Sequence, residues 1–153
     1  KDLGTDNAIW TLPGSRTKNG REHLVPLSPA VVEIIRSIPE TSPLLFSTNG
    51  VNPASGFSRA KRRLDKQIDL LAEEKGFSPV KDWRLHDLRR TMVTMMNEEL
   101  RIAPHVVEAC INHISGSAKA GVAGVYNRAL YLDERREALN AWSGLILNIA
   151  HSI

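Results

Sequence analysis

Cysteine is nearly absent. Cys110 stands alone among 153 residues, which excludes an internal disulfide and a cysteine-based zinc site. A lone thiol reads as a small buried hydrophobe, and this usage suits a reducing cytosol. No apolar run approaches the ~20 residues that a membrane span needs, and the opening KDLGTDNAIW lacks the basic start and apolar middle of a secretory leader. The five histidines, His23, His86, His105, His113 and His151, form no HExxH and no close pair, so no metal is expected. Neither a GxxxxGK[ST] loop nor a GxSxG elbow occurs, which removes the usual signals for nucleotide binding and serine hydrolysis; no cofactor is expected. Tyrosine is scarce as well, so phenol chemistry has only two candidates, Tyr126 and Tyr131.

What is present fits one soluble domain with a sizeable core: 42% of residues are hydrophobic and 24% charged. The net charge of +3 is unevenly spread. Residues 1–90 carry 15 Lys and Arg against 11 Asp and Glu, and residues 91–153 carry 5 against 6. A basic first half admits a polyanionic partner without requiring one.

The pattern along the chain predicts a mainly helical fold with one small sheet. Residues 8–12, AIWTL, suit a strand closed by Pro13-Gly14. Asn19-Gly20 before HLVPL predicts a β-hairpin with Lys18 at its tip, because both residues tolerate positive φ. Ser28-Pro29 opens a helix that Pro39 ends. Residues 39–56, rich in Pro, Ser, Asn and Gly, read as loop. A long helix over 57–75 carries an apolar stripe of Ala60, Leu64, Ile68, Leu71 and Ala72, with basic side chains around its first turns and Gly76 beyond its end. Further helices are expected over 84–100, from Pro104 to Ile111, and over 130–150. Between the last two, NHISGSAKAGVAGVYNR is 13 parts in 17 small, polar or basic, too slight to build a core.

Candidate chemistry starts with WRLHDLRRT, residues 83–91. His86 and Arg89 are three apart, so a helix aligns them on one face. The arginine fork matches two phosphate oxygens, and histidine donates a hydrogen bond or moves a proton near neutral pH. A solvated His-Arg face is the plain alternative. Lys18 on the hairpin either keeps an edge soluble or brings an ammonium to a bound anion. Tyr126 is either a boundary residue or a nucleophile on phosphorus. Tyr131, at the start of the last helix, has a natural packing role.

Taken in order, a hairpin lysine, HxxR on a helix, a further histidine and a tyrosine before a terminal helix resemble the catalytic domain of the tyrosine recombinases, and phage and genomic-island integrases most of all. The matching stretches are RTKNGREHLVPLS (16–28), WRLHDLRRT (83–91), INH (111–113) and GVAGVYNRALY (121–131), so the resemblance covers nearly the whole chain. It implies an α+β, mainly α-helical domain of the tyrosine recombinase type, with a hairpin sheet at 8–27, a helical core at 28–129 and a C-terminal helix at 130–150. It also implies the roles. Tyr126 attacks the scissile phosphate and forms a 3′-phosphotyrosyl link; Arg89 binds the non-bridging oxygens; His86 and His113 hydrogen-bond the phosphate; Lys18 protonates the departing 5′ oxygen. Arg16, Arg21, Arg59, Arg62 and Arg90 are the expected DNA contacts. Such chemistry runs on positioned cations without metal or ATP.

The same resemblance implies a bacterial, cytoplasmic, nucleoid-associated protein. Its expected partners are double-stranded attachment sites, three further copies in a tetramer joined by exchange of C-terminal helices, and accessory DNA-bending proteins. The family's first arginine lies upstream of the hairpin, and its DNA-clamping domain lies further upstream. The expectation is therefore a catalytic-domain fragment that does not cleave DNA efficiently alone. Two competing readings stay open: a non-catalytic DNA-binding module, and a type IB topoisomerase-like strand transferase that relaxes supercoils.

Overall fold

The computed structural model describes residues 7–40, 42–47, 49–113 and 131–152. The chain divides into two compact units, one formed by Lys1–Ser37 with Arg89–Ile153 and the other by Ile38–Leu88. The described part is mainly helical with a two-stranded antiparallel sheet.

In the first unit, strand β1 (Ile9–Leu12) pairs with β2 (His23–Pro26). The register sets Ile9 against Pro26 and Leu12 against His23. Ile9, Trp10 and Thr11 favour extended backbone, and Pro26, which has no N–H to give, stands at the strand end. The expected hairpin is present, but Asn19-Gly20 does not form a primed turn in it. The connection runs from Pro13 to Glu22 and opens with a 3-10 turn over Gly14–Arg16. A second turn closes where the Gly20 N–H donates to the Thr17 carbonyl at 3.2 Å. A primed Asn-Gly turn needs positive φ at both residues. Here Gly20 has φ +71, while Asn19 is not among the positive-φ residues. Gly20 instead fills the fourth position of a turn over Thr17–Gly20, a favoured place for glycine. The limbs of this connection come so close that a Cβ on Gly14 would collide with the Gly20 carbonyl oxygen.

Helix α1 (Pro29–Ser37) starts after Ser28, whose hydroxyl lies 3.5 Å from the Val31 N–H. That is a long cap, and the same hydroxyl donates its proton to Ser143 Oγ at 3.1 Å. Two more helices of this unit are α4 (Pro104–Cys110) and α5 (Leu132–His151). Helix α3 (Leu85–Glu98) enters the unit at Arg89. The core is Met96 of α3, Val106, Val107 and Cys110 of α4 and Ala138 of α5, flanked by Met92, Val93, Leu100, Ile102, Leu139 and Trp142. Pro104 at the start of α4 suits the first helical turn, so this helix, with three core side chains in seven residues, is also sharply begun. Helix α5 packs on α4 and on β2.

In the second unit, α2 (Phe57–Lys75) ends as expected at Gly76, with φ +71. The Phe77 N–H reaches the Ala72 carbonyl at 3.0 Å and the Gly76 N–H reaches that of Glu73 at 3.4 Å, the paired bonds of a Schellman cap. The expected stripe is largely uncovered. Ala72 is buried and Ile68 half-buried, but Ala60, Leu64 and Leu71 are exposed. The segments before and after α2 are loops, and their Phe46, Val51, Phe77 and Val80 are themselves exposed.

Candidate active site at the end of helix α4

Helix α4 ends at Cys110, and the next three residues, Ile111, Asn112 and His113, form a turn. Asn112 adopts φ +52, a left-handed conformation that asparagine tolerates better than most residues. The His113 N–H donates back to the Glu108 carbonyl at 2.9 Å and fixes the turn on the helix end.

Three other segments converge on this turn. Arg89 of α3 donates through Nη2 to the Ile111 carbonyl. A guanidinium carries five N–H donors, so this anchor leaves the rest of an exposed fork facing outward. The hairpin connection arrives through Asn19, whose Nδ2 donates to Asn112 Oδ1 at 2.9 Å. The third segment is buried. His23 of β2 hydrogen-bonds the Cys110 backbone, and the Arg135 guanidinium of α5 lies 3.5 Å from His23 Nδ1 and donates to the Leu24 carbonyl.

Burial sets the electrostatics of that inner cluster. The His23 imidazole is pushed below its ordinary value of 6.5, first by desolvation, then by the Arg135 cation and more weakly by Arg89, against the hydrogen bond to Cys110. It is therefore neutral at neutral pH, which suits Nδ1 facing a cation. Burial raises the Cys110 thiol and lowers Arg135 from its usual range. The thiol is thus an unreactive buried group, as the sequence suggests.

The expected site residues fall as follows. Arg89 and His113 are exposed at the α4 turn, and Lys18, beside Asn19, is exposed on the connection that docks there. His113 Nδ1 lies 3.9 Å from Glu108 Oε1. His86 is exposed in the first turn of α3. Arg16 and Arg21 are exposed on the connection, Arg90 on α3, and Arg59 and Arg62 on α2. Tyr126 lies outside the described residues. Tyr131 is half-buried with its ring centroid 4.9 Å from that of His105, a packing contact. Among the described residues, no group of three or more His, Cys, Asp or Glu is placed to hold a metal.

His23 and Arg135 were not anticipated as site residues. Arg135 had a legible signal: it falls on the inner face of α5, three and four residues before Ala138 and Leu139 and seven before Trp142. A charge on an apolar stripe needs a partner. For His23, strand alternation gives no way to distinguish an inward histidine from an outward one.

An exposed arginine, lysine and histidine on segments tied to one helix-end turn have the chemistry to receive a phosphate-like anion. The chain is 30% identical to prophage integrase IntZ of Escherichia coli K12 over 152 residues, covering 96% of this chain and 34% of the relative. The chain is thus similar, over nearly its whole length, to phage and prophage integrases. Prophage integrase IntS of E. coli K12 is 29% identical over 149 residues, and the integrase of Shigella phage Sf6 is 28% identical over 149, each match covering 94% of this chain and 35% of the relative. The chain thus spans about a third of the length of the curated relatives it matches. No family model and no solved structure matches it. Among the described residues, no helix is long and apolar enough to cross a membrane.

Proposed function

We propose that the intact protein is a site-specific recombinase of the tyrosine type, which integrates or excises a mobile element through a 3′-phosphotyrosyl DNA intermediate. In this reading Tyr126 is the nucleophile. Arg89, His86 and His113 hold the phosphate, and Lys18 gives a proton to the 5′ oxygen. The observation that carries it is the anchoring of Arg89 and of the Lys18 connection on the same turn that bears His113. Phosphoryl transfer needs fixed donors around the equatorial oxygens and little else from the protein.

The substrate is a double-stranded attachment site, gripped along its backbone by Arg16, Arg21, Arg90 and, on α2, Arg59 and Arg62. Its partners are further copies of itself. Ile146, Leu147 and Ile149 near the end of α5 are 42%, 44% and 40% exposed, which supports docking of this helix on a neighbouring protomer in a tetramer. Accessory DNA-bending proteins and a place on the nucleoid belong to the same proposal, as does the inactivity of this 153-residue piece by itself.

The test is covalent attachment to a nicked suicide substrate. The intact protein should form an adduct that survives denaturant. Arg89→Ala should slow its formation by roughly a hundred- to a thousand-fold, as removal of one transition-state donor does. Full activity of that variant would refute the assignment.

A further inference from the structure

The hydrogen bonds that support the α4 turn single out two side chains to which no role has been given. Asn19 is held at both ends of its amide. Its Oδ1 accepts the Arg21 N–H at 3.1 Å, and its Nδ2 donates to Asn112 Oδ1 at 2.9 Å. The first bond decides the amide's orientation, because a backbone N–H faces only an acceptor; the nitrogen must then point at Asn112. The pair lies 93 positions apart in sequence, and Asn112 sits directly between Ile111, which anchors Arg89, and His113. On the other side, Asn19 follows Lys18 within the turn closed by Thr17 and Gly20.

The connection needs such a tether. It extends from the sheet as two short turns, and Lys18, Asn19, Gly20 and Arg21 are all exposed. Its inner supports are local: the Thr17 hydroxyl lies 2.6 Å from the Arg21 carbonyl, and Gly14 packs under Gly20. These contacts shape the loop without aiming it. The Asn19–Asn112 bond is the described hydrogen bond that ties the loop to the turn bearing His113.

We infer that Asn19 and Asn112 are a positioning pair, which holds the Lys18 ammonium in register with Arg89 and His113. The inference rests on the recombinase reading above. Neither asparagine touches the reacting atoms. Their effect passes through Lys18, so it is confined to the step in which the leaving 5′ oxygen takes a proton.

That confinement gives the test. Asn19→Ala, Asn112→Gly, the double variant and Lys18→Ala are made in the intact protein. Glycine is chosen at 112 because it accepts the +52 φ without strain. Cleavage is timed on two suicide substrates, one with the ordinary 5′ oxygen at the scissile phosphate and one with sulfur in its place, a leaving group that needs no proton. With oxygen, each asparagine variant should be slower by roughly ten- to a hundredfold, the scale expected for a misplaced group. The double variant should be no slower than the worse single one, since both remove the same bond. With sulfur, all four variants should approach the wild-type rate. Equal slowing on both substrates would mean a structural or DNA-binding role and overturn the inference, as would wild-type rates on oxygen. Absence of adduct from the wild-type protein on either substrate would instead overturn the recombinase reading, and the positioning role with it.

Discussion

Replacing Arg135 separates its contribution as a buried cation from its contribution as buried bulk. The residue is 3% exposed. Its guanidinium donates to the Leu24 carbonyl and faces His23, so it ties α5 to β2. Arg135→Ala removes a charge-assisted hydrogen bond worth about 1.5–3 kcal/mol and leaves the Leu24 carbonyl without that donor. It also removes two buried methylenes, at about 0.8 kcal/mol each. Relief of the guanidinium's own burial cost offsets part of this, leaving a net loss of roughly 2–3 kcal/mol. Arg135→Met refills the stem and keeps the relief, so its loss should stay below about 1.5 kcal/mol. The two variants also alter pH dependence. His23 titrates below 6.5 in the folded protein, so the unfolded chain takes up its proton first as pH falls. Its stability contribution is present above pH 6.5 and is lost as pH falls through the folded value. Without the cation at 135 the folded value rises, so stability should fall less between pH 7.5 and 5.5. Urea titration at both pH values, followed by tryptophan fluorescence, reads each quantity. An alanine variant within 0.5 kcal/mol of wild type on such titrations, about the scatter of a neutral surface change, would refute the packing argument. A methionine variant with undiminished pH dependence would refute the electrostatic one.

Three further outcomes follow from the geometry. Gly14→Ala should drive the connection away from Gly20 at a cost of about 1–3 kcal/mol, seen as a lowered melting temperature and slower adduct formation; an unchanged melt would mean that the close approach relaxes freely. Met96→Ala, at a position with 0% exposure, should lose about 2–5 kcal/mol in denaturant titration, and a loss under 1 kcal/mol would show that the core collapses around it. The 153-residue chain by itself should give little covalent adduct on a suicide substrate, and robust attachment would show that no further arginine is required.

Sequence was informative where one local rule governs the backbone. Gly76 had to accept a left-handed φ at the end of α2, and Pro104 suited the start of α4; both act where expected. The hairpin shows the limit. Pro13-Gly14 marked the strand end and Asn-Gly the turn, but the local φ pattern was not legible: Gly20 takes positive φ and Asn19 does not. The α2 stripe was read from periodicity, which says which face is apolar and not whether anything covers it. In the candidate site, Arg89, His113 and Lys18 were visible because their order carries a family resemblance. The Asn19–Asn112 bond, the Ile111 carbonyl anchor and the buried His23–Arg135 pair depend on contacts between distant segments, which no local pattern encodes.

The central claim is that DNA becomes attached through Tyr126. The direct measurement is mass spectrometry of the peptide left on DNA after proteolysis of the suicide adduct formed by the intact protein. The account predicts a phosphotyrosyl link on Tyr126, and no adduct from Tyr126→Phe although the variant still binds DNA. A link on Tyr131, or an undiminished adduct from the phenylalanine variant, would contradict it.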